Sequence, residues 1–379
     1  MAITLCSVIV TIVLLLWAAW GVFAVRFTNK IFRKLEYLFK ADPNEMSKVL
    51  CGSRYDQSYL SRMEIYVGAV VLLPIRVVLF LFLFAVGQLF TFVFAKIYKI
   101  DLEHYYQPRS KLSFTIYHWV IGFLSRCVFF VFGMYYMPIR EVNIRDIWCD
   151  YKPLQDVSRA PIVISNHVSY LDMWILLHIR ELPGFLAKQS ITKFPVVSTY
   201  SMIQQCIYIN RDEKEQRDNI LKKIVERCKL VEEGKMGPLL IFPEGTTTNG
   251  RALMKFKKGA FFAERPFHVY SVMYSRDPAF VPCYNLIHPG YSFFIFISKF
   301  VNQVEYYRLD QPIDPLWILQ KHGRAPGQED NWELIADETK KLMCFAFGFE
   351  SDNSSFQEKK EFDKKVQNLS EEEFRKRGE

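Results

Sequence analysis

The chain has 379 residues and a formal net charge of +8; half of its residues are apolar, and 33 are phenylalanine. This length allows a folded core together with a membrane portion, and the aromatic content indicates lipid contact. Because no RNA- or DNA-binding motif accompanies the basic excess, we interpret it as attraction to an anionic membrane surface rather than to nucleic acid. Eight scattered cysteines without a CxxC pair argue against a zinc ribbon and a disulfide framework, which favours a reducing, cytosol-facing compartment.

Residues 1–140 are predicted to form a membrane-anchoring region, and its first apolar segment is residues 3–25. This segment carries no charge and is long enough to cross a bilayer. A cleaved signal peptide is the alternative, but no Lys or Arg precedes the run, and the run is longer than a typical signal-peptide core. The basic residues that follow it are Arg26, Lys30, Arg33, Lys34 and Lys40. The positive-inside rule therefore places the carboxyl end of the segment in the cytosol.

Two further candidate segments, residues 66–98 and 114–139, complete this region. The first of them is interrupted by Pro74 and Arg76, and the second contains Arg126 and is more amphipathic. Three crossings leave the remainder of the chain in the cytosol, and so does one crossing followed by two interfacial or re-entrant segments. The sequence leaves the number of crossings open.

Residues 141–348 are predicted to form an α/β domain. Its short buried strands are "PIVIS" at 161–165, "CIYIN" at 206–210 and "GPLLIF" at 237–242. Between the last two strands, residues 213–235 carry apolar side chains on one helical face, with Gly234 as the stop signal. Strand, helix and strand in this order predict an α/β layer with at least some parallel pairing. The charged residues 349–379 are predicted to be a tail that frays or lies solvated as a helix.

His167 follows the first of these strands, and Asp172 lies five residues further on. One interpretation is local: Ser169 and Asp172 fit a helix-start signature in which the carboxylate satisfies backbone N–H groups. The other is chemical: Asp172 orients His167 as a general base for a hydroxyl. No GxSxG elbow offers a nucleophile for an acyl-enzyme, so such a base suggests direct attack by a substrate hydroxyl on an activated acyl group. The two interpretations do not exclude each other.

Two other stretches end at the same kind of position. Arg211 follows the strand at 206–210, where side chains gather at the carboxyl edge of a sheet; it can pair with a surface carboxylate or hold a phosphate bidentately. The stretch "IFPEGTTTNG" at 241–250 can be an ordinary turn that needs glycine. It can also bring Glu244, Gly245 and Thr246 to one end of the sheet, where their carboxylate, backbone N–H and hydroxyl groups suit a glycerol backbone and its phosphate.

The stretches "NHVSYLD", "YINR" and "FPEGTTTNG", in this order, resemble the first three motifs of the glycerophospholipid acyltransferase family. The similarity extends over roughly residues 115–310, and the wording is closest to the lysophosphatidylcholine/lysophosphatidylethanolamine branch. The resemblance implies a mixed, largely parallel sheet flanked by helices and preceded by hydrophobic membrane-embedded helices. It also implies a membrane-bound enzyme that moves a fatty acyl chain from acyl-CoA to the free hydroxyl of a lysophospholipid, with lysophosphatidylcholine or lysophosphatidylethanolamine favoured.

The resemblance also implies roles for individual residues. His167 would be the general base, Asp172 its orienting partner, and Arg211 a ligand of the acceptor phosphate. The loop residues that would bind the glycerophosphate end of the acceptor are Glu244, Gly245 and Thr246. The fourth family motif is best matched around Pro266, although a usual second proline is replaced near Tyr270.

The partners implied are membrane lipids, acyl-CoA as co-substrate and the acceptor lipid, with no metal and no cofactor. The endoplasmic reticulum is the expected location in a eukaryotic host. Within the enzyme class, glycerol-3-phosphate or lysophosphatidate as acceptor stays open, and so does a CoA-independent transacylase. A non-catalytic lipid-binding membrane protein is the alternative outside that class. A metal-dependent phosphohydrolase would need more histidines or carboxylates clustered near His167. The acyl length and the oligomeric state are not readable from the motifs.

Overall fold

The computed structural model describes residues 2–40, 59–100, 110–157, 159–176, 184–193, 195–209, 214–274, 288–361 and 363–364. Its helices are α1 Ala2–Lys40, α2 Tyr59–Ile97, α3 Lys111–Val131, α4 Asp172–Ile175, α5 Pro195–Ile203, α6 Lys214–Glu232, α7 Pro289–Ser298, α8 Pro315–Lys321 and α9 Asn331–Phe347. Its strands are β1 Ile139–Val142, β2 Ile162–Ser165, β3 Gly184–Lys188, β4 Ile207–Ile209, β5 Leu239–Ile241, β6 Ala252–Leu253, β7 Phe267–Tyr274, β8 Val304–Leu309 and β9 Glu350–Ser351.

Seven strands form the central sheet, in the order β1-β8-β7-β2-β5-β3-β4. Every neighbouring pair is parallel except β7 and β8, which run antiparallel. The prediction of a mixed, largely parallel sheet flanked by helices is therefore confirmed. The three strands read from apolar runs are β2, β4 and β5, and the helix between the last two is α6. In the sheet, β3 lies between β4 and β5, so these two strands are not hydrogen-bonded to each other.

Both faces of the sheet are covered, which is why its central strands are continuous apolar runs rather than alternating ones. On one face, Ile162 and Ile164 belong to a core cluster that includes side chains of α6, α8 and α9. On the other face, Val163 and Leu240 belong to a cluster that includes side chains of α1, α2, α3 and α7. Of α1, only the carboxyl-terminal part takes part in this packing, whereas residues 10–19 are exposed.

The first membrane segment predicted from sequence, residues 3–25, lies inside α1, and the second, residues 66–98, coincides with α2 up to Ile97. Apolar stretches long enough to cross a bilayer occur in both, at Val10–Leu35 and Leu60–Ile97. The third prediction, residues 114–139, is wrong at its carboxyl end. Helix α3 stops at Val131, the chain turns through Gly133 at a positive φ of 84°, and β1 begins at Ile139. The apolar part of α3, Thr115–Val131, is a shorter helix.

Helix α2 lies against the rest of the fold over most of its length. A Cβ at Gly68 would fall 1.6 Å from the carbonyl oxygen of Ser298, so glycine is required for this approach to α7. The buried guanidinium of Arg76 donates to the carbonyl oxygens of Ile297 at 2.8 Å and Phe300 at 3.0 Å, where α7 ends. Further along, Phe84 stacks on Trp174 of α4, and Phe94 packs in one cluster with Ile203 of α5.

The beginning of the predicted tail is part of the fold. Strand β9 pairs with β6 in parallel, and the N–H of Asp352 donates to the carbonyl of Leu253 at 2.9 Å. Lys359, in a helical stretch at 356–361, is 1% exposed and pairs with Asp363. The pairing of β9 with β6 and the burial of Lys359 were not expected, whereas the mostly exposed helical stretch at 356–361 agrees with the expected solvated helix. Residues 365–379 lie outside the described part of the chain.

Candidate active site

Three neighbouring strands bring polar side chains to one edge of the sheet. Strands β5 and β7 flank β2 and run parallel to it, so their carboxyl ends lie together. His167 follows β2 after one residue, Phe242 follows β5 directly, and Tyr274 is the last residue of β7. In open α/β sheets this edge is where ligands bind.

His167 and Asp172 form the dyad expected from the sequence. The Nδ1 of His167 lies 2.9 Å from Oδ2 of Asp172, and the Asp172 side chain is completely buried while that of His167 is 18% exposed. The same Oδ2 accepts the backbone N–H groups of Val168 at 2.6 Å and Ser169 at 2.8 Å. Asp172 therefore fixes the turn into α4 and faces the imidazole at once. With Nδ1 donating to the carboxylate, Nε2 is the ring nitrogen left to accept a proton.

The loop after β5 holds His167 from the other side. The ring of Phe242 stacks on the imidazole, with centroids 4.0 Å apart and planes 13° apart. The N–H of Thr248 donates to the carbonyl of His167 at 2.7 Å, and the N–H of His167 donates to Oε1 of Glu244 at 3.2 Å. Gly250 has a positive φ of 70°, and a Cβ there would lie 2.8 Å from Val168. The imidazole thus has little freedom to turn or shift.

Glu244 supports this loop from within the protein. It is 1% exposed; its Oε1 accepts from His167, and its Oε2 accepts the N–H of Met254 at 3.1 Å. Burial raises the pKa of Glu244 to about 8, while these two N–H groups and the nearby ammonium groups of Lys340 and Lys359 act in the opposite direction. In this structure the carboxylate of Glu244 therefore holds the loop that carries His167, and the substrate-binding role expected for it stays a prediction.

Comparison with known proteins points to one family. The sequence profile described as Acyltransferase matches residues 150–282. LPEAT1 of Arabidopsis thaliana, a lysophospholipid acyltransferase, is 32% identical over 241 residues, which are 59% of this chain and 56% of that protein. LPCAT4 of Xenopus tropicalis, a lysophospholipid acyltransferase, is 27% identical over 212 residues, which are 55% of this chain and 37% of that protein. Residues 150–282 thus match the acyltransferase family, and the relatives named here are lysophospholipid acyltransferases.

Within this acyltransferase family, these relatives support the lysophosphatidylcholine/lysophosphatidylethanolamine branch. The match spans about half the length of the first relative and less of the second. A solved structure, the 1-acyl-sn-glycerophosphate acyltransferase PlsC from Thermotoga maritima, is 18% identical, with a TM-score of 0.39 over 70% of this chain and 95% of that chain. At this identity and TM-score, the likeness supports no statement about the function of this chain.

The remaining residues predicted for the acyltransferase site have different outcomes. Gly245, at a positive φ of 67°, and the half-buried Thr246 follow Glu244 in the loop at the dyad edge. Arg211 lies outside the described residues, but β4, which precedes it, ends at the same edge of the sheet. Pro266 is buried directly before β7 and so lies at the opposite edge, because Phe267 pairs with Ile162 at the amino end of β2. The structure does not bring Pro266 to the site.

Two residues of the acyltransferase site were missed in the sequence. The side chain of Asn166 pairs with the backbone of Val272 on β7: its Nδ2 donates to the carbonyl at 3.0 Å, and its Oδ1 accepts the N–H at 2.9 Å. The hydroxyl of Tyr274 donates to Oδ1 of Asp172 at 2.7 Å. The position of Asn166 directly after a buried strand could have indicated a place in the site. Nothing in the sequence pointed to Tyr274, because it lies 102 residues from its partner Asp172.

An apolar cavity lies between α2 and α3 and reaches α4. It is lined by residues of α2 and α3, among them Leu83, Gly87 and Ile121, and by Trp174, two residues after Asp172. Thr91 and Ser125 add hydroxyl groups to its wall. Within the described part of the chain, no three His, Cys, Asp or Glu side chains cluster so as to hold a metal ion.

Proposed function

We propose that this chain transfers a fatty acyl group from acyl-CoA to the free hydroxyl of a lysophospholipid, with His167 as general base. The observation that carries the proposal is the His167–Asp172 pair, whose Nδ1 and Oδ2 lie 2.9 Å apart at the carboxyl edge of the sheet. The names of the relatives support lysophospholipids as acceptors, and lysophosphatidylcholine and lysophosphatidylethanolamine are the acceptors we favour.

The proposed reaction needs no nucleophile from the protein. Nε2 of His167 takes the proton of the acceptor hydroxyl as its oxygen attacks the thioester carbonyl. A new C–O bond forms, the C–S bond breaks, and CoA leaves as a thiolate. Asp172 keeps Nδ1 protonated and stabilises the imidazolium that forms. Assistance by a general base contributes about 10²- to 10⁴-fold, and holding the two substrates together supplies much of the remaining acceleration.

The cavity beside Trp174 is the place we assign to the acyl chain. Its lining is mostly apolar, which suits a hydrocarbon chain, and it includes Trp174 of α4, the helix that begins with Asp172. A thioester at the dyad would then have its chain between α2 and α3. Both helices expose large apolar side chains outward, so a chain can pass between lipid and cavity without crossing water.

We further propose that α2 rests on the membrane rather than crossing it. The helix contacts the fold from Gly68 to Phe94, about 39 Å at 1.5 Å per residue, which exceeds the roughly 30 Å of hydrocarbon in a bilayer. A crossing helix would therefore carry the sheet domain into the membrane with it. The outward stripe of α2, with Val71, Val78 and Phe82 exposed, instead faces lipid on the cytosolic side.

The acceptor is identified by direct assay. Purified membranes containing the protein receive labelled oleoyl-CoA and, separately, lysophosphatidylcholine, lysophosphatidylethanolamine, lysophosphatidate and glycerol-3-phosphate. Label should appear in the diacyl product of one of the first two acceptors. Transfer only to lysophosphatidate or glycerol-3-phosphate would overturn the assignment of acceptor, and no transfer to any of the four would overturn acyl-CoA as donor.

A further inference from the structure

Tyr274 completes a hydrogen-bond network behind the dyad. Its hydroxyl donates to Oδ1 of Asp172 at 2.7 Å, on the carboxylate oxygen that does not face His167. Tyr274 is 6% exposed, and burial together with the neighbouring carboxylate raises the pKa of its phenol. The phenol therefore keeps its proton and acts as a donor at any pH at which the enzyme works.

The position of Tyr274 is fixed by the strand that carries it. Two residues earlier, Val272 exchanges two backbone hydrogen bonds with the side chain of Asn166, and the hydroxyl of Ser271 donates to the same Asn166 oxygen at 3.1 Å. Asn166 directly precedes His167. Strand β7 is thus tied to the catalytic loop at both members of the dyad, through Asn166 beside His167 and through Tyr274 at Asp172.

The donors around Asp172 divide unevenly between its two oxygens. Oδ2 faces three N–H groups, those of the His167 ring, Val168 and Ser169. Oδ1 accepts from Tyr274. Without that hydroxyl, Oδ1 would lose its hydrogen-bond donor inside the protein. The carboxylate could then rotate so that both oxygens share the donors of Oδ2, and the imidazole of His167 would move with the carboxylate. A carboxylate that loses a donor also holds its remaining partners more strongly.

We propose that Tyr274 is a positioning residue that fixes the carboxylate of Asp172 and sets how strongly it holds the imidazolium of His167. This rests on the proposed function. The competing explanation is a core tyrosine whose hydroxyl only needs a buried partner. The two differ in whether losing the hydroxyl alters His167.

The test compares Tyr274→Phe with Tyr306→Phe in the full-length protein. Tyr306 is a matched control: it lies on the adjacent strand β8, is 4% exposed, and donates its hydroxyl to the carbonyl of Ile175 at 3.2 Å. We expect kcat of Tyr274→Phe to fall about tenfold, in keeping with one lost hydrogen bond to a charged group, with KM for both substrates unchanged. Tyr306→Phe should stay within about twofold of the wild type. Equal losses in both variants would overturn the proposal.

A second readout does not depend on acyl transfer. Diethyl pyrocarbonate modifies neutral imidazole, and mass spectrometry of the His167 peptide gives the modification rate against pH. Among the described residues, Tyr306 on β8 interacts electrostatically with Asp172, with Tyr274 and with Arg126 on α3, and Glu244 after β5 accepts from the N–H of His167; Tyr274→Phe leaves these ionisable side chains in place. The midpoint of modification should move up by roughly half a pH unit, because the less satisfied carboxylate holds the imidazolium more strongly. An unmoved midpoint overturns the role of Tyr274, whether or not any acceptor is acylated.

Discussion

Replacing Glu244 with Gln tests how Glu244 holds the loop after β2 that carries His167. The carboxyl group places one oxygen 3.2 Å from the N–H of His167 and the other 3.1 Å from the N–H of Met254. The comparison is made above pH 8, where Glu244 is ionised and both of its oxygens accept; glutamine offers one oxygen and one amide NH2 group in these places. Whichever way the amide turns, one of the two backbone N–H groups then meets a donor instead of an acceptor.

The size of the effect follows from the burial of this contact. One buried N–H without an acceptor costs about 1–3 kcal/mol, and Glu244 is 1% exposed, so water cannot take the place of the lost oxygen. The loop relieves the conflict by shifting, and His167 moves with it. Misplacement of a catalytic group by a fraction of an ångström lowers the rate by about 10- to 100-fold. If Glu244 acts by holding this loop and does not contact the acceptor, KM for the acceptor should not change.

The assay measures kcat and KM for acyl-CoA and for the acceptor, together with thermal unfolding in detergent. Glu264→Gln is the matched control. Glu264 also accepts two donors, the N–H of Gly327 at 2.9 Å and the Nδ2 of Asn331 at 2.8 Å, but it lies before β7 at the opposite edge of the sheet. That variant should lose stability and keep its kcat. If Glu244→Gln instead raised KM for the acceptor and kept kcat, Glu244 would face the acceptor and our account of the loop would be wrong.

Three other predictions concern stability and chain length. Burial raises the pKa of Glu244 from 4.5 to about 8, so stability should fall between these pH values by about 1.4 kcal/mol per unit as only the unfolded chain ionises; urea titrations should show this fall for the wild type and not for Glu244→Gln. Gly87→Leu should narrow the cavity and shift the preference of the enzyme toward acyl-CoA with shorter chains, whereas Val86→Leu on the outward side should not. If the two variants had the same chain-length preference, the acyl chain would not lie in this cavity. Gly68→Ala should lower the unfolding temperature by several degrees, because its Cβ would fall 1.6 Å from the carbonyl oxygen of Ser298; an unchanged melt would contradict the α2–α7 contact.

The parts of the fold that sequence predicted are those with a local cause. Strands β2, β4 and β5 are short apolar runs bounded by turn residues, and α6 has a one-sided apolar face. The antiparallel pair of β7 and β8 and the insertion of β3 between β4 and β5 depend on contacts between distant segments. The packing of α2 along the domain also depends on contacts between distant segments. Arg76 interrupts the apolar run in the sequence, and its hydrogen-bond partners are the carbonyl oxygens of Ile297 and Phe300.

The candidate site divides in the same way. The His167–Asp172 pair was predictable because five residues across one turn are enough to bring the two side chains together. The orientation of Glu244 was not, since a carboxylate next to glycine has the same sequence pattern whether it faces a ligand or the protein interior. Its hydrogen bonds to the N–H groups of His167, after β2, and Met254, after β6, decide it.

The most direct test of the account is the rate of acyl transfer by His167→Ala. The control is His322→Ala, which removes an exposed imidazole at the carboxyl end of α8. With labelled oleoyl-CoA and the preferred lysophospholipid, the account predicts that His167→Ala loses about 10²- to 10⁴-fold in kcat. The variant should still unfold cooperatively, at a lower temperature than the wild type because the buried Asp172 loses its imidazole partner. His322→Ala should match the wild type. A folded His167→Ala protein that still transfers the acyl chain at the wild-type rate would contradict His167 as the base.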